Sequence, residues 1–280
     1  MALTMNTTIQ NGADPAAHMS PAPVGFGRPC TERAAWTARA ETALGRQVCA
    51  EAERAAATPL PPLGNNTYLE FSRTGSRTEW ERRLWQHHHA LTMWTLAECL
   101  EARGRFIAPL ERAVRELCTA RTWVMPAHDH SLCNFHGTDI GIDLRASRVA
   151  WELGQIVLLL GPVLPPELTD AIRAEVTRRV FEPFRTAVRL RGGVPAAQTT
   201  RQWWWWLDTT NNWNAVCLAG VTGAALALLT DAAQRAWFVD AARRFSASFL
   251  DGFTPDGYCS EGLGYWNYGF GHFVMMSELA

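Results

Sequence analysis

Lysine is absent from this chain. All 26 positive side chains are arginine, set against 27 Asp and Glu for a formal net charge of −1. Such balance excludes a strongly basic nucleic-acid binder. It also means that every cation is a planar fork able to grip carboxylate or sulfate through two parallel hydrogen bonds. Any Cys-x-x-C pair is missing too. The seven cysteines, at positions 30, 49, 99, 118, 133, 217 and 259, form neither a disulfide framework nor a zinc ribbon. The N-terminus has no basic start and no apolar core of a secretory signal, so the sequence by itself points to the cytoplasm. No apolar run nears the length of a membrane span, and the best, 156–160, stops at Gly161-Pro162. Neither a membrane nor a nucleic acid is therefore expected as a partner, and the oligomeric state is left open.

What is present is a chain of 280 residues, 48% hydrophobic, with 13 Trp, four of them consecutive at 203–206. That is ample for a large core. Residues 1–30, rich in Pro, Gly and Ala without periodicity, read as a flexible tail. Residues 31–280 read as one helical domain. Helical periodicity marks 31–57, 79–101, 107–120, 140–160, 166–191, 211–229, 231–250 and 263 onward. Mostly apolar segments (140–160, 211–229, 263–280) alternate with amphipathic ones (166–191, 231–250), the pattern of inner and outer helices. Long loops at about 121–139, 192–210 and 251–262 precede the inner helices. The expectation is all-α, a stack of helical hairpins with these loops on one face. The last helix has no terminating signal, so the chain reads as cut within a helix.

Three constellations are able to carry chemistry. In 256–272, Glu261, Tyr265, Tyr268 and His272 are spaced by four, three and four, which predicts one polar face on an otherwise apolar helix. Gly262, Gly264, Gly269 and Gly271 weaken that helix, which points to close packing or ligand access. In 201–214, Arg201 precedes Trp203, Trp204, Trp205 and Trp206, and Asn211, Asn212, Trp213 and Asn214 follow. Four adjacent indoles cannot all face a core, so at least one is expected to offer a stacking platform for a sugar face. Asn211 or Thr210 is a natural helix N-cap. In 128–139, His128, His130, Cys133 and His136 have a spacing that could bind zinc. Dense ligands in a short loop more often serve a cleft as hydrogen-bonding groups, and no metal site or other cofactor is assigned. The run His87-His88-His89 is expected to be divided between core and surface.

Together, Thr122-Trp-Val-Met-Pro-Ala-His-Asp129, Thr210-Asn-Asn-Trp-Asn-Ala-Val-Cys217 and Asp256-Gly-Tyr-Cys-Ser-Glu-Gly-Leu-Gly-Tyr-Trp-Asn-Tyr-Gly269 resemble the heparinase II/III-like polysaccharide lyases. Oligoalginate lyases and dermatan-sulfate epimerase are similar. The resemblance spans roughly residues 70–280. It implies an incomplete (α/α) toroid, normally followed by a β-sandwich domain that is absent here and that can carry a metal site. It also implies a periplasmic setting and β-elimination on an acidic, uronate-containing polysaccharide. Tyr268 would serve as base and acid. Asn211, Asn212, His128 and a protonated Glu261 would neutralise the uronate carboxylate and the developing enolate. Tyr265, Trp204, Trp205, Trp213, Arg201 and His272 would contact substrate. Many relatives carry His where this chain has Trp213, so the neutralising imidazole comes from His128 or from the second domain. Two rivals remain. One is an inverting glycoside hydrolase using two of Asp139, Asp208 and Glu261. The other is a non-catalytic sugar-binding module or remnant.

Overall fold

A computed structural model describes residues 18–191 and 204–280. Every regular element among them is helical, and the β-type pairing is a lone antiparallel bridge between Phe253 and Cys259. In chain order the helices are α1 (Arg33–Ala40), α2 (Ala43–Ala56), α3 (Asn65–Thr74), α4 (Thr78–Glu101), α5 (Ile107–Thr119), α6 (Cys133–His136), α7 (Leu144–Leu160), α8 (Pro166–Val176), α9 (Glu182–Arg191), α10 (Asn212–Leu228), α11 (Ala232–Leu250) and α12 (Leu263–Leu279). A π-turn, Thr177–Phe181, joins α8 to α9. No helix among the described residues is long and apolar enough to cross a membrane.

Helices α4, α7, α10 and α12 stand side by side in that order, while α5, α8 and α11 pack back on α4, α7 and α10 respectively. Residues 214–228 of α10 are all buried, as expected of a helix that is apolar around its whole circumference. Its neighbour α7 comes so close that a Cβ on Gly220 would lie 2.6 Å from the Ser147 carbonyl carbon; only glycine permits that crossing. Further along, Gly154 meets Ala224, so the two helices run parallel.

Three expectations are corrected. The tail is not wholly free: within 18–30, Val24 N donates to Leu226 O at 2.9 Å, Phe26 N to Gln155 Oε1 at 2.9 Å and Cys30 N to Leu159 O at 2.7 Å. This segment thus lies across α7 and α10, replacing water on backbone groups that a tail would leave solvated. The single helix expected over 31–57 is two, because the Thr42 hydroxyl accepts from Gly45 N at 3.0 Å and starts α2 afresh. Helix α3 stands between the periodic segments 31–57 and 79–101, where the sequence pattern marked no helix. It is anchored by buried Tyr68, which stacks on Phe135 and meets the edge of Trp80.

Candidate functional site

The long loop before α7 is organised by two buried aspartates. Asp129 accepts from Asn134 N at 3.1 Å, Phe135 N at 2.9 Å and the Tyr68 hydroxyl at 3.0 Å. Asp143 is the N-cap of α7. Its Oδ1 accepts from Arg145 N at 3.1 Å and Ala146 N at 2.8 Å, and its Oδ2 accepts from Met125 N at 2.9 Å and lies 2.6 Å from His128 Nδ1. Pairing with a carboxylate requires the proton on Nδ1, so Nε2 is the nitrogen left for other chemistry. Beside this pair, Arg145 is fully buried over the Trp80 ring and donates to Trp123 O at 2.8 Å. Burial pulls its guanidinium down to about 10, and the neighbouring Asp143 charge opposes that shift.

The possible zinc ligands diverge. His128 turns to Asp143, His130 packs near Phe71, His136 near Phe135, and Cys133 faces Asp129. Among the described residues no group of three or more His, Cys, Asp or Glu is placed to hold a metal ion.

From His128 an aromatic file runs to α10. Its ring centroid is 4.7 Å from Trp213, which is 4.9 Å from Trp205. Trp205 is 45% exposed, whereas Trp204 and Trp206 are buried at 4% and 0%. Trp204 is thus corrected from substrate platform to core, since the 3-10 turn Trp205–Asp208 sends adjacent indoles to opposite sides. Arg201 and Trp203 lie outside the described residues.

At the start of α10, the Asn211 side chain caps the helix by accepting from Trp213 N at 3.1 Å. With Oδ1 so engaged, its amide nitrogen is the group left to face a ligand. Asn212 donates from N to Glu261 Oε2 and from Nδ2 to Glu261 Oε1, both at 2.6 Å. Both oxygens of Glu261 therefore accept, which is the arrangement of a carboxylate and not of the protonated donor expected from the sequence. The Asn212 amide, spent on Glu261, is likewise not offered to a substrate. Asn214 donates to Trp206 O, Leu207 O and Phe245 O and is structural.

The single polar face expected on the last helix is divided. Gly262 adopts a left-handed conformation (φ 83°) ahead of α12, so Glu261 lies outside the helix and turns to α10. Tyr265 is 57% exposed, while Tyr268 and His272 are half-buried. Of the four glycines, Gly269 serves close packing, since an added Cβ would sit 3.0 Å from Phe249 and 3.1 Å from Asn212; Gly264 and Gly271 face open space.

Tyr268 and His272 line a cavity of about 450 Å³ bounded by α4, α7, α10 and α12, with Phe26 also on its wall. Their rings meet edge to face at 4.8 Å, and His272 Nδ1 lies 2.7 Å from Tyr268 O, which makes Nδ1 the donor and leaves Nε2 with a lone pair. Burial pushes the Tyr268 phenol above its usual range, with Cys217 and Asp143 adding to the rise and Arg148 opposing it. Burial also lowers His272, with Arg148 reinforcing the shift against its backbone hydrogen bond, so its imidazole is neutral near pH 7.

Four residues of this region escaped the sequence reading. Asp143 was visible as an acidic residue directly before an apolar run, an N-cap signal. Arg148 and Glu152 stand four apart on one of the mostly apolar helices, where charge is unusual. His88 gave no signal that set it apart from His87 and His89; it is buried, with Nδ1 2.6 Å from Glu152 Oε2. No protein-family model matches the chain, and no curated protein matches it significantly.

Proposed function

We propose that the protein is a carbon–oxygen lyase that cleaves uronate-containing polysaccharide by β-elimination, on an arc of an (α/α) toroid whose inner wall is α4, α7, α10 and α12. The observation that carries this reading is the pairing of a half-buried phenol with a neutral imidazole, Tyr268 with His272, on the wall of a cavity that also bears Arg148. Burial holds the phenol protonated, which suits delivery of a proton to a leaving sugar oxygen. In the preceding step neutral His272, through the Nε2 lone pair, takes the proton next to the uronate carboxylate. The electron pair passes into the enolate, the C4–O4 bond breaks as Tyr268 gives its proton to O4, and the imidazolium of His272 then re-protonates the phenolate. Asn211 and Asp143-held His128 are the donors for the enolate charge, and Trp205 with Trp213 forms the stacking platform.

The hydrolase alternative needs two carboxylates facing across one cleft. Glu261 is committed to Asn212, Asp139 lines a different, small cavity near Arg121 and Arg178, and Glu152 is the one acid on the wall of the larger cavity among the described residues.

Incubation with uronate polysaccharides should yield unsaturated ends absorbing in the near ultraviolet. Saturated products of the same cleavage would transfer the reading to hydrolysis, and sugar binding without cleavage would transfer it to the binding module. Tyr268→Phe should lower turnover by about 100-fold or more while the thermal midpoint changes little; an active Tyr268→Phe enzyme rules out the assigned role.

A further inference from the structure

The cavity wall carries a positive and a negative group that are kept apart. Arg148 and Glu152 are one turn apart on α7, a spacing at which Arg and Glu ordinarily pair. Among the described residues no ion pair joins them. Glu152 is drawn back by His88 at 2.6 Å, with both side chains largely buried (12% and 4% exposed), while the Arg148 guanidinium lies 5.1 Å over the Trp85 ring. Both Arg148 and Glu152 line the cavity, whereas His88 stands behind Glu152. One Glu152 oxygen is engaged by His88, and the other has the distant Thr92 hydroxyl at 3.5 Å, which leaves its acceptor capacity toward the cavity.

We propose that this cavity is a subsite for the sugar ring next to the one whose enolate meets Asn211 and His128, a ring itself bearing one anionic group, in which Glu152, oriented by His88, accepts hydrogen bonds from ring hydroxyls and Arg148 grips the carboxylate. The inference rests on the lyase reading for its choice of a uronate. Four residues of helix rise by about 6 Å, close to the width of a pyranose ring, so the two groups can reach its opposite edges at once. A volume of about 450 Å³ has room for one ring and its substituents with space to spare. The acid on this wall also gives the subsite a direction, because a carboxylate turned toward Glu152 would meet a like charge at close range. Glu152 and Arg148 are thus specificity-determining, and His88 is a positioning residue.

The test is direct binding, independent of turnover, followed through the indole N–H signals of Trp151 and Trp85 in the full chain titrated with D-glucuronate and with D-glucose. D-glucuronate should shift these signals and saturate, with D-glucose weaker by roughly tenfold. Arg148→Gln, at an exposed side chain, should erase that preference while keeping the glucose affinity. Glu152→Gln should weaken both sugars by a similar factor, and His88→Gln should reproduce part of that loss. Equal binding of the two sugars by the native protein, or unchanged preference in Arg148→Gln, overturns the proposal. Sugar binding of the expected pattern in a protein that makes no unsaturated product would refute the lyase reading and leave this subsite standing.

Discussion

Helices α7 and α10 run parallel, and each start is held by one carboxylate, yet the two carboxylates come from different distances along the chain. Asp143 belongs to the helix it caps and reaches back to Met125 and His128, fifteen or more residues earlier. Glu261 arrives from the loop before α12, 49 residues beyond Asn212. The first ties a loop to its own helix; the second ties the loop before α12 to the start of α10. A local carboxylate can thus shape a reactive side chain, His128, whereas the remote one uses up the polar capacity of the residue it meets, Asn212.

Asp143→Ala should have the largest effect. It removes the acceptor for four donors and leaves buried Arg145 without its adjacent anion. Breaking a buried pair of this kind costs about 3–5 kcal/mol, which for a chain of this size lowers the melting midpoint by roughly 10 °C. Glu261→Ala should cost less, about 1–3 kcal/mol, because two donors of Asn212 lose their acceptor while Asn211 still caps α10. Denaturant unfolding of the two variants ranks them. If Glu261→Ala is the more damaging, the junction between α10 and α12 and not the loop network limits stability.

The same difference in sequence distance decides what could be read without the structure. Helices α4, α5, α7, α10 and α11 follow from periodicity, because a buried face repeats every three to four residues wherever the partner comes from. A cap at Thr210 or Asn211 was legible for the same local reason, and Asn211 is the one that caps. Glu261 was misplaced because its neighbours Tyr265 and Tyr268 continue its spacing, and only the left-handed Gly262 shows that the helix has not yet begun. His88 and Glu152 are 64 residues apart, and nothing in either helix alone marks them as a pair. Residues 18–30 are held mainly through backbone N–H and C=O groups, which any sequence supplies, so their docking left little compositional trace.

Acid sharpens the contrast from another side. Burial lowers both His87 and His272, so each binds its proton more weakly in the folded chain than at the ordinary value of about 6.5. The unfolded chain therefore takes up more protons as pH falls below about 6.5. Stability from these two groups is complete above that value and is lost progressively below it. Thermal midpoints measured from pH 7.5 down to 5.5 should decline across that window, and His272→Asn should flatten part of the slope. An unaltered slope in that variant would mean that His272 is not held neutral by the fold.

The smallest effect separates the two duties of Asn211, which caps α10 and in the proposed mechanism also donates to the enolate. At an N-cap, Ala costs about 1 kcal/mol and Gly only a few tenths, since Gly leaves the first backbone donors open to water. Asn211→Gly and Asn211→Ala should therefore differ in stability, with the midpoint of the Ala variant lower by roughly 2–3 °C. Both lack the side-chain amide. If Asn211 donates to the reacting sugar, turnover falls by a similar factor in the two variants despite their unequal stability. If turnover instead tracks the melting midpoint, capping is its whole role, and charge stabilisation at the start of α10 passes to His128, which Asp143 holds on the neighbouring helix.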